Sequence, residues 1–203
     1  NPTMNEIVFP AGILQPPFFD ITMDDAVNYG GIGAVIGHEI THGYDDEGRH
    51  FDADGNLTEW WTESDTKQFG ARAQKVVEEY NALEALPGLH VNGKLTLGEN
   101  IADLGGVSIG YDALQRALKK DPSKRKNIDG LTPEQRFFLS FAQLWRINIR
   151  EAEQRRLITV DPHSPGPFRS VGPLVNFQEF HDAFGIKSGD AMWREQEKRA
   201  KIW

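Results

Sequence analysis

The stretch "GAVIGHEITHGYDDEGRHF", residues 33–51, places two of the chain's six histidines four residues apart, with a glutamate directly after the first. Positions i and i+4 lie on the same face of a helix, so the imidazoles of His38 and His42 can converge on one point. Glu39 projects about 100° away around the helix axis, beside that point. Two imidazoles with a neighbouring carboxylate are what a catalytic zinc ion and its water require. The stretch therefore predicts a helical zinc site.

A third ligand would strengthen this interpretation, because HExxH is short enough to recur by chance and a buried helix with two hydrogen-bonded histidines would explain it equally well. Glu99 opens a predicted helix that begins "GENIADLGG", residues 98–106. Asp103 lies one turn further on the same face and could accept a hydrogen bond from a histidine's outer nitrogen. A capping glutamate and a solvated aspartate would explain the same spacing, so the spacing alone leaves both possibilities open.

Composition limits the class of protein. The chain has 203 residues, of which 39% are hydrophobic and 26% charged, enough for one substantial core. A net charge of −8 argues against a nucleic-acid partner. No apolar run approaches the ~18 residues of a membrane segment, so we expect none in this chain. The sequence begins with neither a methionine nor a helix start, and we expect it to be part of a longer protein.

Periodicity and capping signals predict a mainly helical chain. Thr22 is the expected N-cap of the motif helix and Gly43 its expected stop. Capping boxes at Thr62 and Thr132 predict two more helices, the second of which should run through residues 136–153. Residues 98–120 and 174–185 complete the helices, and the loop 161–173 separates the last two. The glycines before His38 predict very close packing of another backbone; they are Gly30, Gly31, Gly33 and Gly37.

Strand signals are few. Residues 5–14 are expected to form a short edge strand, and Asn92-Gly93 is expected to turn a hairpin. The segment "DADGNLTEWWTE", residues 52–63, resembles a calcium loop but has leucine where glycine is required at its sixth position, so we interpret it as a turn. Asp45 is either a further acceptor for His42 or a helix-end carboxylate. The predicted class is α+β, predominantly helical, with no linker dividing residues 1–203.

Four segments in order resemble the catalytic domain of the neprilysin and endothelin-converting-enzyme family of zinc endopeptidases. They are "NEIVFPAGILQPPFF", "VIGHEITHGYDDEGRHFDADGNLTEWW", "GENIADLGG" and "HSPGPFR". The resemblance covers nearly the whole chain and implies a thermolysin-like zincin catalytic domain over residues 1–203, the C-terminal part of a longer protease. It also implies one Zn²⁺ per chain, bound by His38, His42 and Glu99, with Asp103 as the carboxylate behind a histidine.

The resemblance implies roles for further residues. Glu39 would be the general base towards a zinc-activated water, and His163 would stabilise the oxyanion. Arg169 would hydrogen-bond the substrate backbone. Five apolar residues would form the pocket for the side chain after the scissile bond; they are Ile13, Phe18, Val35, Leu144 and Trp145. Without the resemblance, an ordinary loop histidine, a surface ion pair and plain core packing would explain these residues as well.

The leading hypothesis is a zinc-dependent endopeptidase that cleaves small peptides on the amino side of hydrophobic residues. The absence of cysteines, with Ala200 where animal members of the family have one, indicates a bacterial member, and the resemblance favours a periplasmic or extracellular location. The family's substrate-pairing strand motif and N-terminal domain would lie upstream of Asn1. The alternatives are therefore a zinc-containing peptide-binding domain with little turnover and a zinc-free helical domain.

Overall fold

The HExxH stretch lies in one long helical segment with an irregular middle. The computed structural model describes residues 1–203. Helix α1 (Asp25–Asn28) continues through a π-helical turn, Tyr29–Gly33, into α2 (Ala34–Thr41). A 3₁₀ turn, His42–Tyr44, ends the segment just past the predicted stop. π-helical turns inside helices are frequent at functional sites.

The start of this segment differs from the prediction at Thr22. The N-cap is Asp24, whose side chain accepts a hydrogen bond from the Ala26 N–H. Thr22 donates its hydroxyl to Asp20 instead. Asp24 also accepts a hydrogen bond from Arg136, whose Nε lies 3.0 Å from its Oδ2. The residue that caps the helix, Asp24, is thus also held by a residue 112 positions away in sequence.

Six more helices and one small hairpin complete the fold, and the predicted predominantly helical α+β class is confirmed. The helices are α3 (Glu63–Asn81), α4 (Leu97–Lys120), α5 (Pro133–Gln143), α6 (Glu151–Val160), α7 (Gly166–Val171) and α8 (Gln178–Phe184). Strands β1 (Glu84–Leu86) and β2 (Leu89–His90) pair antiparallel. Both predicted capping boxes, at Thr62 and Thr132, are formed. None of the helices is both long and apolar enough to span a bilayer.

The two strand predictions were wrong. Residues 5–10 have no regular structure and pair with no strand, and Ala11–Ile13 form a 3₁₀ turn. The hairpin turns at residues 87–88, where Gly88 adopts a φ of 74° that favours glycine. Asn92 serves another turn, because its side chain accepts hydrogen bonds from the N–H groups of Lys94 and Leu95 just before α4.

Two helical boundaries also differ. The helix expected over 136–153 stops at Gln143, and α6 begins only at Glu151. The segment between them contains Ile147, Asn148 and Ile149, which have low helix propensity. The predicted loop 161–173 contains α7, and the predicted last helix is shorter, because α8 begins only at Gln178.

Helix α4 is the centre of the molecule, with a hydrophobic cluster on each side. One cluster includes Leu114 and Phe137 and the other Val76 and Ile101, all almost fully buried. Helix α2 makes its most extensive contact with α4. The two backbones approach closely at Gly37, where an added Cβ would lie 3.0 Å from the Cα of Gly106. The predicted close packing before His38 is thus confirmed there.

A side chain at Gly106 should be strongly destabilising. A Cβ there would collide with the carbonyl oxygen of Ala34, and α2 would have to shift with His38. We expect Gly106→Ala to lower the free energy of unfolding by about 1–3 kcal/mol, measured by urea unfolding. Gly70→Ala is the matched control, because Gly70 lies inside α3 with open space around it, and it should stabilise by about 0.5–1 kcal/mol. Equal effects would contradict this account of the α2–α4 contact.

A buried carboxylate anchors the C-terminal segment. Glu79 on α3 is 7% exposed and accepts a hydrogen bond from Asn176 Nδ2 at 3.0 Å. Asn176 in turn accepts a hydrogen bond from the Ala200 N–H at 2.7 Å. Burial, offset only in part by Arg194 and Asn176, raises the pKa of Glu79 from 4.5 to about 7.

Glu79 should make stability fall with pH. Its raised pKa means that the folded protein holds this proton more tightly than the unfolded chain does. The free energy of unfolding should therefore fall, by on the order of 3 kcal/mol, as pH rises from 4.5 to about 7. Glu79→Gln should remove this decline in urea unfolding across the range, whereas Glu78→Gln, at the exposed neighbour, should retain it. Parallel pH curves for Glu79→Gln and the unmodified chain would contradict the assignment.

Candidate metal centre

Three side chains from α2, its terminal turn and the start of α4 converge. His38 lies in α2, His42 begins the 3₁₀ turn and Glu99 lies in the first turn of α4. The Nε2 atoms of the two histidines are 3.1 Å apart. Glu99 places Oε2 3.3 Å from His38 Nε2 and Oε1 3.6 Å from His42 Nε2. These are the three residues that sequence analysis predicted as ligands.

A carboxylate behind each imidazole fixes which nitrogen faces the centre. His38 Nδ1 lies 2.9 Å from Asp103 Oδ1, and His42 Nδ1 lies 2.7 Å from Asp45 Oδ2. An ionised carboxylate only accepts hydrogen bonds, so each Nδ1 carries the proton and donates it. In the neutral rings each Nε2 is therefore left with a lone pair that points at the other and at Glu99.

The three acceptor groups fit a zinc ion. Lone pairs and a carboxylate repel one another unless they share a cation, and Glu99 Oε2 is buried without a hydrogen-bond partner. In a tetrahedral site with bonds of about 2.0–2.1 Å, ligand atoms lie about 3.3 Å from one another. The 3.1 Å between the two Nε2 atoms and the 3.3 Å from His38 Nε2 to Glu99 Oε2 match this value, and the other Glu99 oxygen, Oε1, lies 3.6 Å from His42 Nε2. The group can thus hold one divalent metal ion and leave a coordination position free.

The electrostatics of the site favour positive charge. Burial opposes a charged His38, but Asp103 and Glu99 outweigh it and raise the pKa of His38 to about 9. Burial also opposes ionisation of Asp103, yet Arg169 and His38 hold the pKa of this carboxyl below its usual range. Burial opposes ionisation of Glu99 too, but His38, His163 and His42 outweigh it and lower the pKa of this carboxyl. Both carboxylates are therefore ionised at neutral pH.

Arg169 completes a buried layer behind the ligands. Its Nε and Nη2 donate to the two oxygens of Asp103 at 2.8 and 2.7 Å, and Nη2 lies 3.5 Å from Glu99 Oε2. The guanidinium also lies over the ring of Trp145, 3.9 Å from its centroid. Arg169 is 7% exposed, so it is an interior ion pair rather than the surface pair considered above. Contact with a substrate backbone stays a prediction.

His163 reaches the same centre from the loop before α7. Its Nε2 lies 3.2 Å from Glu99 Oε2, and its side chain is 48% exposed. Asp161 accepts hydrogen bonds from both the backbone N–H and Nδ1 of His163, each at 2.8 Å. Sequence analysis missed Asp161, although an aspartate two residues before a loop histidine is a recognisable local pattern.

Asp45 has both of the roles that the sequence left open, as an acceptor for His42 and as a carboxylate at the end of the helix. Its Oδ2 faces His42, and its Oδ1 accepts hydrogen bonds from the N–H groups of Glu47 and Gly48, which holds the turn after the motif. Gly48 packs so closely against the His42 carbonyl that a Cβ would collide with it. Within the segment 52–63, which we interpreted as a turn, residues 52–56 form a turn around the Asp52 carboxylate.

The remaining predicted residues are less constrained. Glu39 follows a ligand on α2 and is exposed, as a base that must reach water requires. The five predicted pocket residues are all partly buried; they are Ile13, Phe18, Val35, Leu144 and Trp145. Two cavities elsewhere on the molecule are lined by none of them. The larger one, of about 520 Å³, lies between Lys75, Phe177 and Trp203. The apolar pocket therefore stays a prediction.

Known proteins are similar to this chain in sequence. Residues 1–200 match the family described as Peptidase family M13. The chain is 46% identical to human neprilysin over 203 residues and 45% identical to rat endothelin-converting enzyme 1 over 205 residues. These alignments cover 98% and 100% of the chain.

Solved structures of zinc metalloproteases and their relatives have a similar fold. The crystal structure of the Mycobacterium tuberculosis zinc metalloprotease Zmp1 with an inhibitor matches the whole chain at 51% identity with a TM-score of 0.96. PepO from Lactobacillus rhamnosis matches 96% of it at 34% identity with a TM-score of 0.85. The chain spans 27% of human neprilysin and 32% of the Zmp1 chain. On this similarity of sequence and structure, the chain belongs to peptidase family M13.

Proposed function

We propose that this chain is the zinc-binding catalytic domain of an endopeptidase, over residues 1–203. The observation that carries the proposal is the convergence of His38, His42 and Glu99, with both Nδ1 atoms already committed to carboxylates. Three acceptor groups held in this way are suited to a metal and to little else. The family membership and the names of the relatives, which include zinc metalloproteases, support the same reaction class.

The side chains of the site divide the work of peptide hydrolysis. A bound zinc ion supplies a Lewis acid for the scissile carbonyl and lowers the pKa of a water to about 7. The Glu39 carboxylate takes one proton from the attacking water as the water oxygen adds to the carbonyl carbon. Glu39 then passes that proton to the leaving nitrogen as the C–N bond breaks. The products are a carboxylic acid and an amine, which become a carboxylate and an ammonium group when the acid's proton passes to the amine.

His163 is the proposed donor to the oxyanion that develops on the carbonyl oxygen. Its Nε2 faces the centre and Asp161 accepts from Nδ1, so an imidazole that carries a proton on each nitrogen would direct its Nε2–H at the place where negative charge forms. Asp103 orients His38 and holds Arg169 in place. Donors that are fixed before the reaction lower the barrier because they need no rearrangement during it.

Substrate binding is proposed from the same residues. Arg169 would donate to the backbone of the bound peptide, next to the metal. The apolar residues named above (Ile13, Phe18, Val35, Leu144 and Trp145) would receive the side chain after the scissile bond. Because an apolar pocket would accept a hydrophobic side chain at this position, the proposed activity is cleavage of small peptides on the amino side of hydrophobic residues. Further proposals are an N-terminal domain in a longer parent chain, a bacterial origin, supported by 51% identity to Zmp1, and a periplasmic or extracellular location.

Metal removal tests the proposal. The complete natural chain that carries these residues should contain one zinc ion, cleave a random peptide pool before hydrophobic residues and lose this activity with a chelator. Zinc should restore it, and should also raise the melting temperature, since a ligand that binds only the folded state stabilises that state. Tight zinc binding without cleavage of any peptide would favour a peptide-binding domain instead. Absence of zinc from a metal-replete sample would favour a structural helical domain.

A further inference from the structure

A chain of buried hydrogen bonds runs beside the metal centre and has no part in the mechanism above. It consists of Thr96, Asn100 and Ser164, which are 3%, 0% and 3% exposed. Ser164 Oγ donates to Asn100 Oδ1 at 2.8 Å, and Asn100 Nδ2 donates to Thr96 Oγ1 at 2.9 Å. Thr96 Oγ1 in turn donates to the Asn92 carbonyl at 3.2 Å.

Two members of this chain are the immediate neighbours of site residues. Asn100 follows Glu99, and Ser164 follows His163. The Ser164–Asn100 side-chain hydrogen bond therefore links the residue after the proposed oxyanion donor to the residue after Glu99, across 64 residues of sequence. Loss of that bond would remove a tie between the His163 loop and the start of α4.

His163 has few other constraints. Its side chain is 48% exposed, so packing does not hold it against the centre. Asp161 orients the ring, but only from within the same loop. The next tie between this region and α4 is the ion pair of Arg169 with Asp103, six residues further along. The distance of 3.2 Å from His163 Nε2 to Glu99 thus depends on where Ser164 fixes the loop.

Stability alone is a weak reason for such a pair. Burying a hydroxyl and an amide costs free energy that their mutual hydrogen bonds only about recover, and two apolar groups of the same shape would serve as well. Because a hydrogen bond is directional, a buried one holds its two groups in a single relative position. A misplacement of about 1 Å in a catalytic group can cost roughly 100-fold in rate.

We propose that Ser164 and Asn100 are positioning residues that hold the His163 imidazole at the metal centre. This inference rests on the proposed peptidase function for its kinetic consequence, but its geometric content can be measured without turnover. Neither residue touches the substrate in this account. Both act through His163, and this dependence separates them from ordinary core residues.

A double-mutant cycle tests the dependence in the zinc-loaded, complete natural chain. Ser164→Ala should lower kcat by about 10- to 100-fold, with KM changed less than about twofold and zinc content unchanged. In a His163→Ala background, Ser164→Ala should cause no further loss. Ser170→Ala is the matched control, since Ser170 Oγ donates to the Pro167 carbonyl at 2.7 Å within α7 and does not reach α4. It should leave kcat unchanged.

A second readout does not need activity. The imidazole ¹H–¹⁵N resonances of His163 in the zinc-loaded chain should shift or broaden in Ser164→Ala and stay unchanged in Ser170→Ala. Ser164→Cys, nearly isosteric but with a weak donor, should show an intermediate change and serves if the alanine variant does not fold. An unmoved His163 resonance, or an undiminished kcat loss in the His163→Ala background, would overturn the proposal. A chain that cleaves no peptide would refute the peptidase function, whereas the resonances would still decide the positioning role.

Discussion

Replacing Glu39 with glutamine should abolish almost all peptide cleavage and leave zinc bound. Glutamine keeps the shape and exposure of the side chain but cannot take a proton from water. General bases contribute about 10²- to 10⁴-fold to rate, and a fall in kcat of about 10³-fold is expected for Glu39→Gln. Zinc content should not change, because the metal is assigned to His38, His42 and Glu99. The measurement is kcat for one peptide alongside metal analysis of the same sample.

The control for this variant is Glu47→Gln. Glu47 is also exposed and lies in the same segment, but only its backbone N–H takes part in the site, as a donor to Asp45. Its substitution should leave kcat within about twofold. Glu39→Gln with normal, zinc-dependent turnover would disprove the general-base role. Glu39→Gln that has lost its zinc would show that Glu39 supports the metal rather than the proton transfer.

The parts of the fold that the sequence predicts correctly are those decided locally. At Thr62 and Thr132 the side chain and the residue three positions on form a reciprocal cap, so nearby residues suffice to start each helix. At the motif helix, Thr22 and Asp24 are both good caps and lie two residues apart. The structure uses Asp24, which also binds Arg136 on α5. Tertiary contacts of this kind are invisible to a capping rule.

The strand predictions failed for a related reason. A strand needs a partner, and the apolar residues of 5–14 have none, whatever their β propensity. Asn92-Gly93 and Pro87-Gly88 are both turn sequences, and the one that forms the hairpin is the one whose flanking segments, β1 and β2, can pair. Turn chemistry marks where a chain can reverse. It does not decide which reversal brings two strands together.

The metal centre shows the same division. Helical periodicity alone brings His38 and His42 together, because they are one turn apart. Glu99 is 57 residues further along the chain; its place at the start of a predicted helix made it a candidate ligand, but only the resemblance to a known family favoured that role over a capping glutamate. The buried Ser164–Asn100 bond carries no sequence signal, since serine and asparagine are common polar residues whose pairing depends on the folded chain.

Loss of Asp103 should be the most damaging substitution for the structure of the site. Its two oxygens accept from His38 and from both Arg169 donors, so Asp103→Ala leaves a nearly buried guanidinium with Glu99 as its nearest carboxylate, at 3.5 Å. Breaking a buried ion pair in this way costs about 3–5 kcal/mol. Zinc affinity should also fall about 10- to 100-fold, because His38 loses the partner that fixes its tautomer. Urea unfolding and zinc titration measure the two effects separately.

Two comparisons decide whether the unpaired charge is the cause. Asp112→Ala removes an exposed carboxylate from the same helix, where it pairs with Arg116 at 2.7 Å, and should change stability by less than about 1 kcal/mol. The double variant Asp103→Ala/Arg169→Ala removes both buried charges, so its loss should be smaller than the sum of the two single losses. If the losses simply add, or if Asp103→Ala behaves like Asp112→Ala, the buried pair does not hold the layer behind the ligands. Asp103 would then matter only through its hydrogen bond to His38, and zinc affinity alone should change.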